Sequence, residues 1–232
     1  MSWLIDNPVF RGISKILDVL SLSLLWLLFC IPIVTAGAST TALYYVANKT
    51  IKNNRGYVIR GFFTSFKNNF KQSTIVWLFF LVWIDILGIN YYLMYSFAKA
   101  GEPMGKSRIV VYALTLLIIA WSLYVFPYIA RFNNTTKEVL KNTFIIAVAN
   151  APTTVIMIGL FVGYCYIIYL WTPVILVLPV IYNLFKSTYI EKVFRRYMSE
   201  EQIEHEQEIN GVIYDDSSKK KIRFLKKDKK GL

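Results

Sequence analysis

The sequence predicts an all-α membrane protein: a polytopic helix bundle of about five transmembrane helices, a lone first helix followed by two parallel-related hairpins, with amphipathic cytoplasmic helices. Three observations carry that prediction. Of 232 residues, 56% are hydrophobic and 16% aromatic, above the roughly 45–50% apolar share of a soluble domain. The apolar residues gather in long unbroken runs instead of periodic stripes. The 26 Lys and Arg, against 14 acids for a net charge of +12, fall mostly between those runs, where membrane topology places them.

Five runs set the elements. They cover roughly residues 16–36, with VLSLSLLWLLFCIPIVTA; 74–98, with TIVWLFFLVWIDILGINYYLMYSFA; 109–128; 144–164; and 167–185. Each approaches the ~20 residues a helix needs to cross a bilayer. Only a helix satisfies its own backbone in lipid without a closed barrel. Trp, Tyr and Phe crowd the run ends as interfacial anchors. TAGA at 35–38 has the A-x-A form of a signal cleavage site. The run before it is long for a signal peptide and contains Pro32, so a retained span is expected.

Orientation follows from the basic residues. Lys49, Lys52, Arg55, Arg60, Lys67 and Lys71 lie between the first two runs with no acid among them; Arg131, Lys137 and Lys141 lie between the third and fourth. The opposite connections hold Lys99, Lys106 and Arg108, and then no charge. The positive-inside rule puts the N-terminus outside and the tail in the cytoplasm. Arg11 and Lys15 sit against this arrangement. Were IPIVTAGAS to re-enter the membrane, the first span would become two half-helices and the N-terminus would turn inward. AGEPMGKS at 100–107 fits a relaxed phosphate-loop pattern. It follows a membrane helix instead of a strand, so a turn is expected.

An internal repeat is expected. FKNNF at 66–70 precedes the second run and LKNTF at 140–144 opens the fourth; Pro32, Pro127 and Pro179 fall near the ends of the first, third and fifth. Transport proteins often carry such repeats. The lead-in segments are amphipathic: Phe62, Phe66 and Phe70 share one helical face, with Lys67 and Lys71 beside them. This is a candidate cytoplasmic contact surface for the inner leaflet or for a partner. Thr135 and Glu138 have the spacing of a capping box.

Asp85 stands near the middle of the second run. A charge at that depth costs about 3 kcal/mol, so the residue is expected to face a bundle interior or be protonated. It marks either a proton or substrate site or a helix–helix hydrogen bond to Asn90, Asn150 or Asn183, and the structural role is favoured. Thr35, Gly37, Ala38, Ser39, Thr40 and Thr41 form a small and hydroxyl-bearing run suited to close helix packing or a partner surface, as do Gly159 and Gly163 in a GxxxG.

The inventory argues against chemistry. Cys30 and Cys165 lie inside apolar runs and His205 is the single histidine. No metal cluster, nucleophile–base pair or carboxylate pair is readable, so no enzyme and no cofactor are expected. Residues 1–190 read as the transmembrane domain and 191–232 as a charged cytoplasmic tail. The tail has a helix about 199–210, capped by Ser199 and Gln202, then the basic KKKIRFLKKDKKGL, drawn to anionic lipid. Nucleic acid is not an expected partner.

CIPIVTAGASTTALYYV at 30–46, together with SFKNNFKQSTIVWLF at 65–79, resembles the YesL family of bacterial membrane proteins. The likeness runs from about residue 7 to 189. That family is found mainly in Gram-positive bacteria, and its genes accompany carbohydrate ABC importers, glycoside hydrolases and sensor kinases. The resemblance implies a cell-membrane role beside oligosaccharide uptake and supplies no catalytic or ligand residue. The expected function is an accessory subunit packed against ABC permease helices, without chemistry of its own. The chain lacks the EAA-type coupling loop of a permease proper. The alternatives are an independent small-solute transporter or channel using Asp85, and a regulator acting through the basic tail.

Overall fold

Pro32 decides the first fold feature. Proline disfavours helix at the residue before it and cannot donate a backbone bond, so α1 (Pro8–Cys30) stops there and Pro32 is extended at φ −74°, ψ 109°. In this computed structural model, which describes residues 8–52 and 57–198, one 3₁₀ turn follows (Ile33–Thr35) and α2 (Ala36–Val46) begins at once. The Thr35 hydroxyl donates to the carbonyls of Phe29 and Pro32, satisfying the open end of α1. Ser39 Oγ donates to Trp26 O at 3.0 Å, and Trp26 Nε1 donates to Thr40 Oγ1 at 3.3 Å. Contacts pairing 29 with 35 and 26 with 39–40 make α1 and α2 an antiparallel hairpin. The first apolar run is therefore carried by α1, and the chain reverses at its end into α2.

A π-helical turn (Ala47–Lys52) ends α2, and α3 runs unbroken from Val58 to Lys99, 42 residues. The amphipathic lead-in and the second span are one rod. At 1.5 Å per residue it is about 63 Å long. A membrane of about 45 Å, headgroups included, takes about 48 Å of helix at the common 20° tilt, leaving about ten residues outside.

Gly101, at φ +77°, closes α3. Its N–H reaches Ala98 O at 3.3 Å and that of Glu102 reaches Phe97 O at 3.0 Å, the paired bonds of a Schellman cap. AGEPMGKS is thus a helix stop followed by a 3₁₀ turn (Pro103–Ser107) leading into α4 (Arg108–Arg131). A Cβ on Gly105 would collide with the backbone of Ala98, so glycine lets the turn lie against α3.

The expected capping box is present at the start of α5 (Thr136–Ala149): Thr135 N–H donates to Glu138 Oε2 at 2.9 Å and Glu138 N–H to Thr135 Oγ1 at 3.4 Å. α5 lies antiparallel to α4, with Trp121 Nε1 donating to Thr143 Oγ1 at 3.0 Å and Asn142 Nδ2 to Tyr128 OH at 3.1 Å. Asn150 breaks the fourth apolar run at φ −111°, ψ 45°, and α6 (Ala151–Leu170) starts with Pro152 in its first turn. The fifth run is broken as well, at residues 171–177, before α7 (Leu178–Phe194) turns back along α6 with the Tyr164 and Tyr182 rings 4.8 Å apart.

Among the described residues the fold is all-α, and four helices are long and apolar enough to cross a membrane, as in a multi-pass membrane protein: Gly12–Cys30, Val58–Lys99, Pro103–Arg131 and Ala151–Leu170. The expected count was five. The two expected hairpins also differ in form. One rod opens the first, and a helix split at Asn150 opens the second. Pro32 lies in a bend, Pro127 inside α4 and Pro179 in the first turn of α7.

The core sits around α2. Ala38, Ala42, Leu43, Val46 and Ala47 pack with Leu22 of α1, with Val58, Phe62 and Phe66 of α3, and with Val180 of α7. Lys52 Nζ donates to Ser187 Oγ at 3.1 Å, setting α7 beside the end of the π turn. Through Ile190, then, the chain finishes on the side from which α1 set out. Residues Met1–Ile190 form one compact unit and Glu191–Leu232 a second. Of the second, the structure describes the last turn of α7 and a 3₁₀ turn (Arg195–Tyr197). The capping box at Ser199, the helix 199–210 and the basic segment lie outside the described residues.

Candidate partner-contact face

Asp85 lies fourteen residues from Lys71 and fourteen from Lys99 on the rod of α3. That is about 21 Å along the axis from either charge, hence the centre of the apolar stretch. Ser73, Val76, Phe80 and Leu87 face the bundle and are buried. Asp85 falls on the other face with Leu78, Val82, Ile89 and Tyr92, all exposed; Tyr92 is 70% exposed. Asp85 has no hydrogen-bond or charge partner among the described residues. One turn away at Gly88, an added Cβ would meet nothing within 4 Å. The neighbouring α4 continues this open surface with Ile109, Val110, Leu114 and Leu116. The expectation that Asp85 faces a bundle interior fails within the single chain.

The three asparagines proposed as its partners are not brought to it. Each turns its amide onto its own helix: Asn90 Nδ2 donates to Ile86 O at 2.8 Å, Asn150 Nδ2 to Ile146 O at 3.0 Å and Asn183 Nδ2 to Pro179 O at 2.8 Å. An amide beside an open i−4 carbonyl finds a near partner without help from another helix.

The small-residue run is used inside the chain. Gly37, Ala38, Ser39 and Thr41 are buried. A Cβ on Gly37 would stand 2.5 Å from Trp77 Cβ and 2.7 Å from Ser73 O, so the absent side chain sets how closely α2 approaches α3. Thr41 shares a 2.9 Å hydroxyl bond with Ser73 and donates to Gly37 O at 3.0 Å. With Thr35 and Thr40 bonded into the α1–α2 hairpin, this run leaves no free partner surface. Gly159 and Gly163 are the reverse case, with nothing within 4 Å of an added Cβ at either.

The aromatic face expected to meet lipid or a partner is also turned inward. Phe62 is fully buried and Phe66 nearly so, with Phe29 of α1 at 5.7 Å and 4.8 Å between ring centres. Phe70, Lys67 and Lys71 remain exposed. Sequence reasoning missed Lys186, only 4% exposed, with its ammonium 5.6 Å from the centre of the Tyr182 ring. Its signal was a lysine ending an apolar run, which also describes an interfacial anchor.

Among the described residues no group of His, Cys, Asp and Glu is placed to hold a metal ion. The arrangement offers a contact surface: an exposed apolar face, a glycine for close approach and one carboxylate that accepts hydrogen bonds. No curated protein and no solved structure matches the chain. Over residues 19–91, which hold α2 and most of α3, it matches the family described as "Protein of unknown function, DUF624".

Proposed function

We propose that the chain is an integral-membrane accessory subunit of a carbohydrate ABC importer, seated on a permease through the outer face of α3 and α4. The observation that carries this is Asp85. An unpartnered carboxylate at the centre of a bilayer costs about 3 kcal/mol, a penalty relieved when a neighbouring helix donates to it. Apart from Gly88, the residues named on that face are large and mostly apolar, as a lateral helix contact requires. The family match is to proteins of unknown function; its span contains both motifs, 30–46 and 65–79, on which the resemblance to importer-associated membrane proteins rests.

A transporter acting alone would need its carboxylate on a path through the chain. Asp85 lies on the outer surface, which favours the accessory role. With α1 and α2 paired as a hairpin, the basic ends share one side with Arg11 and Lys15, and the positive-inside rule makes that side cytoplasmic. The N-terminus is then proposed to be inside.

The test is copurification from gently solubilised membranes of the native host. Wild-type protein is expected to retain a permease subunit. Asp85→Leu, which leaves the isolated chain folded, is expected to lose it at least about tenfold, a loss of one buried hydrogen-bonded contact. Recovery of no permease by wild type, or equal recovery by the variant, removes the proposal.

A further inference from the structure

A cleft of about 350 Å³ opens where the end of α2 and its π turn meet the start of α3. We infer that it is a binding site for a phosphate group, with Lys49 and Arg60 as its cations. Both residues line the cleft. No carboxylate occurs between Asp18 and Asp85 in the sequence, and neither cation has one as partner among the described residues. The Lys49 ammonium donates to Tyr45 OH at 2.6 Å and lies 4.9 Å from the centre of that ring. It is held in place with two N–H groups still to give.

Two further donor sets converge on the cavity. Thr50 lines it and is 8% exposed, and its hydroxyl is bonded to no described residue. Its oxygen is not shut off from solvent, so the hydroxyl is free to donate to a ligand in the cleft. The first turn of α3 is the other set. Its cap residue, Tyr57, makes no side-chain bond to it, and the turn contains no acid. A helix of this length presents open N–H groups and a positive dipole end there, which favour an anion. Gly61 keeps the floor open: an added Cβ would lie 3.3 Å from Val46 Cγ2 and 3.8 Å from Thr50 Oγ1.

Donors approaching from two helices, with two full charges, match the several oxygens of a phosphate better than the two of a carboxylate. The volume exceeds what the phosphate alone fills, leaving room for the group it esterifies between Tyr45 and Tyr57. The cleft lies at the N-terminal, basic end of α3. A phospholipid headgroup and a soluble phosphate ester both carry this chemistry.

The full-length protein in a nonionic detergent micelle separates the two. It is titrated with short-chain phosphatidylglycerol, read by native mass spectrometry, and separately with inorganic phosphate, read by calorimetry. At least one probe is expected to bind. Lys49→Gln/Arg60→Gln weakens it at least about tenfold, as loss of charge-assisted bonds does. Thr50→Val, which changes no charge, weakens it about fivefold, as loss of one neutral bond does. Lys67→Gln/Lys71→Gln removes the same charge from α3 outside the cleft and stays within about twofold, since exposed distant charges are screened. Lipid binding that phosphate does not displace assigns a headgroup; binding of phosphate itself assigns a soluble ester. Binding of neither probe, equal loss in both double variants, or no effect of Thr50→Val overturns the proposal.

Discussion

Two stretches of α3 are similar in composition and opposite in use. Around Phe62 to Trp77 the helix is flanked by α1, α2 and α4, and hydroxyls and glycines close the contacts. Around Val82 to Tyr92 the same helix meets α4 at Tyr91 and Tyr112 and leaves its outer face open. Both are rich in aromatic and branched residues. The difference teaches that α2, a short helix of small residues, decides which apolar surface becomes core. Where α2 ends, the remaining surface is left to lipid or to another chain.

Truncation should separate the two stretches most sharply. Phe62→Ala, fully buried, is expected to cost about 3 kcal/mol, while Ile89→Ala, 62% exposed, stays within about 0.5 kcal/mol. Thermal unfolding in detergent measures both, and equal shifts would abolish the distinction. Glycines supply the next contrast. Gly37→Ala forces α2 off Trp77 and should cost about 1–3 kcal/mol, whereas Gly159→Ala, facing open space, is neutral or slightly stabilising through helix propensity. A stable Gly37→Ala protein would show that the close approach is not required. Thr41→Val breaks the buried bond to Ser73 and should cost about 0.6–1.7 kcal/mol. Ser73→Ala added to it should bring little further loss, and full additivity would mean that the two hydroxyls do not act as a pair.

The smallest effect is expected away from both stretches, at the fully exposed Glu138. The Thr135 backbone N–H, and after it the Thr135 side chain, hold its carboxyl below the ordinary value of 4.5. A depressed carboxyl stabilises the fold above its unfolded value, and that stability is lost as pH falls through the lower folded value. The thermal midpoint should dip slightly at acid pH in wild type. Glu138→Gln should show no such dip; an identical dip in both proteins would assign it to other groups.

Long apolar runs were legible because length and hydropathy alone identify a helix that lipid can surround. The hairpin at Pro32 was legible only as an alternative, since a proline near the end of an apolar run marks a kinked helix as readily as a reversal. The continuity of α3 was hidden by a change of polarity near Lys71, although no proline occurs between Pro32 and Pro103. The break at Asn150 had a signal in Asn150-Ala151-Pro152, a helix start placed inside an apolar run. Asp85 was found by its depth. Its outward direction was not readable, because α3 is apolar on both faces and amphipathic logic has nothing to choose between. The phosphate cleft joins residues of the π turn after α2 with residues of α3, a pairing that no run of apolar residues announces.

Gly37 lies forty residues before Trp77 in the chain, yet rests against it in the fold. During synthesis, the buried faces of α2 find their permanent neighbour only after about half of α3 has left the ribosome. Until then Ser39 and Thr41 have α1 and their own helix for shelter. The N-terminal third of this protein is committed as one unit, and a chain cut short before Trp77 would leave that unit unfinished in the bilayer.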